Sequence, residues 1–152
     1  MTTIDYRYDE CGLDNVILMG LRCCTDDEGE LVIHVPNINV LHRSLMGAIA
    51  HKSTAINAQE LRFLRTELGM TQAELAELVD RDGQSVGRWE RGEKPIDRSA
   101  ETLVRILVLQ HVEKAVPRLE EMAQWTMDSA GDPPFLVDAS DPKNYPMMAD
   151  AA

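Results

Sequence analysis

Aromatic side chains are scarce in this chain: two tryptophans, three tyrosines and two phenylalanines among 152 residues. Its core must therefore be built from leucine, valine, isoleucine and methionine. Positive charge is also in short supply. Fifteen lysines and arginines face 26 aspartates and glutamates, a formal net charge of -11. Such a chain repels polyanions unless its basic residues are gathered in one place. Three cysteines, Cys11, Cys23 and Cys24, are too few for a disulfide framework, and an odd count favours free thiols. Zinc sites favour cysteines two residues apart, a spacing absent here, and neighbours such as Cys23 and Cys24 point to opposite sides of a strand. Even with His34 or His42 added, buried thiols acting as small hydrophobes are the simpler expectation, with no metal and no cofactor. No apolar run approaches the roughly 18 residues of a membrane helix, and the N-terminus lacks an export pattern. A cytoplasmic, nucleoid-associated protein without membrane contact is expected.

Hydrophobic content of 44% and charged content of 27% fit a globular protein, with room for one ordinary domain or two small ones. The charge is unevenly spread. Residues 1–56 hold 4 basic and 8 acidic side chains, residues 57–98 hold 7 and 9, and residues 99–152 hold 4 and 9. A face for a polyanion should be sought in the middle segment.

Four regions are expected. Residues 1–52 read as a small α+β unit for partner or dimer contact. Val16–Met19 and Leu31–Val35 look like short strands around the turn residues Thr25–Gly29, which suggests a hairpin. A helix follows Pro36–Asn37, with Ile38, Leu41, Leu45 and Ile49 on one face. Residues 57–112 read as a helical domain. Asn57 with Glu60 caps its first helix, Leu61, Leu64 and Leu68 form the buried stripe, and Gly69 ends it. Asp97 caps a last helix whose apolar residues, from Leu103 to Val112, wrap most of the way round. Either a dimer partner or the hairpin unit covers that surface. Residues 113–127 predict a C-terminal helix beyond the interruption at Pro117, and residues 128–152, with four prolines, a flexible acidic tail.

The chemistry is concentrated between Thr71 and Gly92. Thr71 and Glu74 can cap one short helix reciprocally, and Asp82 can cap a second. Leu75 with Leu78 or Val79 should face inward, and Ala76 is small where two helices cross. Val86 and Trp89 pin the second helix. That leaves Gly83, Gln84, Ser85, Gly87 and Arg88 outward. Glutamine can pair with adenine and arginine with guanine in the major groove, each good contact worth roughly 1–3 kcal/mol of discrimination. A solvated amphipathic helix pair is the bland alternative.

Residues 57–109, through Thr71-Gln72, Leu75-Ala76, Val86, Trp89-Glu90 and Gly92, resemble the phage-repressor (Cro/C1, XRE-type) helix-turn-helix family. The resemblance implies a mainly α fold, a five-helix bundle that binds palindromic operators in double-stranded DNA as a homodimer. Carried over, it assigns Gln84, Ser85, Arg88 and Gly83 to the bases, and Gln72 to the phosphate backbone. It also pairs Arg65 with Glu90. Arg62, Thr71, Arg91, Lys94 and Arg98 are the further backbone candidates. Two positions depart from the family: Asp80 stands where the turn usually has glycine, and Arg81 where an apolar residue is usual. The whole architecture is similar to antitoxins of the MqsA and HigA kind, without their paired cysteine motifs. A sequence-specific repressor of its own operon is therefore expected, and an antitoxin that neutralises a cognate toxin through the N-terminal unit or acidic tail is the alternative. No nucleophile–base pair, carboxylate pair in a cleft or phosphate loop supports an enzyme.

Overall fold

The computed structural model describes residues 2–114, 119–125 and 133–148. The chain divides into two units, Met1–Leu45 with Pro133–Ala152, and Met46–Asp132.

The first unit is a mixed sheet. Strands β1 (Thr2–Arg7), β2 (Val16–Thr25) and β3 (Leu31–Val32) follow one another antiparallel, and β4 (Phe135–Asp138) pairs parallel with the start of β2, Val16 opposite Phe135. Sequence pattern stopped the central strand at Met19. It continues because Gly20 takes a left-handed φ of 69° and its N–H donates to Asp5 Oδ1 at 3.1 Å. The register with β1 shifts by one residue there, so the glycine is a bulge and not a turn. The turn after β2 is closed by Asp26, whose Oδ1 accepts the N–H groups of Glu28 and Glu30. The expected strand Leu31–Val35 shrinks to two residues, and β1 is an element that periodicity did not reveal.

Helix α1 (Ile38–His51) begins after Asn37, which itself has a φ of 52°. Leu41, Leu45 and Ile49 are buried, whereas Ile38, expected on the same face, is 40% exposed in the first turn. The flexible tail expected from residue 128 is corrected over residues 133–148. β4 lies there, Val137 is buried, and Tyr145 is buried with its hydroxyl donating to Pro36 O. Ser44 Oγ in turn donates to Tyr145 O at 2.6 Å. A short Phe-Leu-Val run among prolines carries too weak a pattern to announce a strand whose partner lies more than a hundred residues away. Residues 128–132 and 149–152 lie outside the described residues, as does Pro117.

The second unit holds α2 (Ala58–Glu67), α3 (Gln72–Leu78), α4 (Gly83–Glu90), α5 (Arg98–Val112) and α6 (Leu119–Gln124). Four helices, not five, fall within residues 57–112. The core collects Leu61, Phe63, Leu64, Leu75, Val79, Val86, Trp89, Val104 and Val108. Fully burying one such aliphatic side chain contributes about 1.5–3 kcal/mol. On α5, Val104, Val108 and Leu109 are buried and Leu103 is 44% exposed.

That helix also buries charge. Arg105 donates to the carbonyls of Lys52 and Thr54 and lies 3.3 Å from Glu101 Oε2, with its guanidinium 5.0 Å from the centre of the Trp125 ring. Glu101 accepts the N–H of Ile56 at 2.9 Å. Burial works against both charges, raising the Glu101 pKa and lowering that of Arg105, so the pair persists only through these partners. No helix among the described residues is long and apolar enough to cross a membrane. Cys23 is buried, Cys24 exposed and Cys11 half-buried, and no metal-binding group of His, Cys, Asp or Glu is found among the described residues.

Candidate nucleic-acid interface

Three helices in succession are started by their own side chains. Asn57 and Glu60 form the capping box of α2, and Thr71 and Glu74 that of α3, where the Thr71 hydroxyl accepts the Glu74 N–H at 3.1 Å. Asp82 Oδ1 accepts both the N–H and the hydroxyl of Ser85, at 2.8 and 3.0 Å, and so opens α4. Those bonds, the backbone one first, hold the Asp82 carboxyl below its ordinary pKa.

Each helix ends in the same doubly bonded turn. The N–H groups of Gly69 and Met70 reach back to Thr66 and Arg65, those of Asp80 and Arg81 to Glu77 and Ala76, and those of Gly92 and Glu93 to Trp89 and Arg88. This turn requires a left-handed residue. Gly69 and Gly92 supply it at φ 73°, and Asp80 supplies it at 58° between α3 and α4. Aspartate is one of the few non-glycine residues that visit this region.

On α3, Ala76 is buried at 2% exposure. Val86 and Trp89 are buried on α4, and Val79, not Leu78, faces inward. Leu78 is 54% exposed. Gly83, Gln84 and Arg88 are exposed and Ser85 is half-buried. Gly87, expected outward, is buried. A Cβ there would stand 3.0 Å from Arg91 Nη1 and 3.5 Å from Gln72 Oε1, so the glycine is roofed by the side chains of its neighbours.

Beneath this face runs an ion-pair tie. Arg65 of α2 donates through Nε to Glu90 Oε2 at 2.6 Å, through Nη2 to Glu90 Oε1 at 3.0 Å and through Nη1 to Met70 O at 2.9 Å. Gln72 Nε2 joins at 3.2 Å to Glu90 Oε1. The pair is largely shielded, 16% and 4% exposed, and the bond to Glu90 raises the Arg65 pKa. One carboxylate therefore joins the end of α4 to α2 and to the start of α3. The Gln72 side chain is half-buried in this tie, which sequence reasoning did not anticipate.

Residues 58–119 match the family model described as a helix-turn-helix domain. The match runs from the first residue of α2 to the first of α6. No curated protein and no solved structure matches the chain. Within the helix-turn-helix domain Arg62, Arg81, Arg88, Arg91, Lys94, Arg98 and Lys114 are all exposed. Two arginines carry acidic neighbours. Arg91 is bidentate to Glu93 at 3.1 Å, and Arg81 Nε donates to Asp97 Oδ2 at 3.0 Å. The second pair explains how an arginine fills a usually apolar place. Arg81 also donates to the carbonyls of Val79 and Asp80, and its guanidinium ties the helix-turn-helix corner to the cap of α5. Charge alternation along the sequence could have suggested the Arg91–Glu93 pair, but not the Arg81–Asp97 pair.

Proposed function

We propose that this chain is a DNA-binding transcriptional regulator of the XRE type, a homodimeric repressor of its own operon with no catalytic role. It reads a palindromic operator with α4 in the major groove, half-sites lying about one helical turn, roughly 34–36 Å, apart. One observation carries the reading. The exposed face of α4 presents Gln84 and Arg88 from a helix whose cap, buried Val86 and Trp89, and Arg65–Glu90–Gln72 tie leave it little freedom. Preorganised side chains lose little entropy on binding. Base contacts then fall to Gln84 and Arg88, with Ser85 half-engaged by Asp82 and Gly83 bringing the backbone close. Arg62, Thr71, Gln72, Arg91, Lys94 and Arg98 serve the phosphates.

A gel shift on the DNA directly upstream of its reading frame tests this. Arg88→Ala should weaken binding there by roughly 10- to 100-fold, with a smaller loss on a scrambled duplex and unchanged circular dichroism. Equal retention of the wild-type protein on both duplexes would overturn the reading.

One observation favours a second role, as an antitoxin. Leu31, Val32 and Ile33 are 45%, 41% and 41% exposed in the sheet unit, a run of apolar surface of the kind that partner proteins cover. Co-expression with the product of the adjacent gene, yielding no complex, would remove it.

A further inference from the structure

One arginine of the proposed DNA face, Arg91, is held by a carboxylate. Arg91, the residue that ends α4, donates through Nε to Glu93 Oε1 and through Nη2 to Glu93 Oε2, both at 3.1 Å. The two side chains are 58% and 55% exposed, so they meet at the surface and nothing in the core demands the pair. Glu93 is nonetheless held in place. Its N–H donates to Arg88 O at 3.0 Å, and Gly92 before it turns the chain with a φ of 73°. The backbone of Glu93 is thereby fixed at the end of the reading helix, with its carboxylate against Arg91. The hydrogen bonds from Arg91 hold its pKa below the ordinary glutamate range, and the charge of Arg88 adds to them. It is ionised wherever DNA would be bound.

A phosphate recognises the same planar fork that Glu93 occupies, since guanidinium binds either oxyanion through two parallel N–H groups. Arg91 Nη1 is not a substitute, because it lies over Gly87 beside Gln72. We propose that Glu93 is a built-in competitor of DNA phosphate. It fills the Arg91 fork in the free protein, must be displaced when a duplex docks, and lowers the affinity for all DNA by one common factor. An exposed pair is weak and salt-screened, so displacement is feasible. The displaced carboxylate still stands beside the incoming phosphate and repels it. Base readout through Gln84 and Arg88 is untouched. The inference rests on the DNA-binding reading of α4.

The test uses the purified full chain, titrated over a series of salt concentrations against two duplexes. One is the DNA upstream of its reading frame and the other a random sequence of equal length. Glu93→Gln should bind both roughly 5-fold tighter, leaving their ratio unchanged. Its plot of log affinity against log salt should stay close to the wild-type slope, because Arg91 meets the same phosphate in both complexes. In an Arg91→Gln background the same substitution should gain less than about 2-fold, because no fork is left to release. Unchanged affinity, a gain on the upstream duplex alone, or a full gain that persists without Arg91 would each overturn the inference. If the wild-type protein bound neither duplex, the DNA-binding reading itself would fall, a result distinct from those three.

Discussion

On α5, Arg105 is fully buried and gives its Nη1 and Nη2 groups to carbonyls at residues 50–54 and to Glu101, whereas at the end of α4 Arg91 lies in solvent against a single glutamate. Arg65 stands between them, shielded and bidentate to Glu90. The residue type is the same in all three places, but water decides its role. A buried guanidinium must have every partner supplied by the protein, and it becomes part of the framework. An exposed one exchanges partners at little cost and is free to meet a ligand.

Breaking the framework side of this comparison should have the largest effect. Arg105→Ala strands Glu101 and leaves carbonyls at residues 52 and 54 without their donor, so urea unfolding should show a loss of about 3–5 kcal/mol. A loss below about 1 kcal/mol, the range of exposed pairs, would mean that Arg105 is not the structural residue its burial implies. Arg65→Ala should cost less, about 2–3 kcal/mol, because water can reach part of the released Glu90 carboxylate. It should also weaken DNA binding although Arg65 is placed beneath the reading face. Normal binding by a destabilised Arg65→Ala protein would separate the tie from the function.

The smallest effect is one of pH. His51 bonds Glu113 at 2.7 Å through Nε2 and Glu121 through Nδ1, so both nitrogens face carboxylates and the protonated ring serves both. Partial burial pulls its pKa down, but the hydrogen bonds to Glu121 and Glu113 outweigh burial and the pKa is raised. A raised pKa means the folded state holds the proton more tightly. The stabilisation is complete below the unfolded-state value of about 6.5 and fades as pH rises through the folded-state value. Between about pH 6 and pH 8 the wild-type urea midpoint should therefore fall more than that of His51→Gln. Parallel curves would show that the two carboxylates do not act on His51.

Much of the helix-turn-helix domain was legible because its signals are local. Asn57 with Glu60, Thr71 with Glu74, and Asp82, Asp97 and Gly69 act on groups one to four residues away, and each acts where its spacing places it. Asp80 in place of glycine was readable for the same reason. Gly87 was misread because outwardness was assigned by subtracting the core positions, and a residue can be buried by the side chains of its own surface neighbours. The sheet unit was read less well. Gly20 looks like a terminator until Asp5, fifteen residues earlier, accepts its N–H. Arg105 and Glu101, four apart on a helix, look like an ordinary surface pair, and only the carbonyls of residues 50–54 bring them indoors.

Local sequence sufficed to place the starts of α2, α3, α4 and α5, the end of α2 at Gly69, and Gln84 and Arg88 on the outside of α4. Those outcomes depend on hydrogen bonds within one turn and on a period of 3.6. The tertiary structure alone decided that β4 joins β2, that Tyr145 is buried, that Arg105 belongs to the framework, and that Glu90 gathers Arg65 and Gln72. Each of these joins groups distant along the chain, and their stability comes from excluding water around them, which no local spacing records.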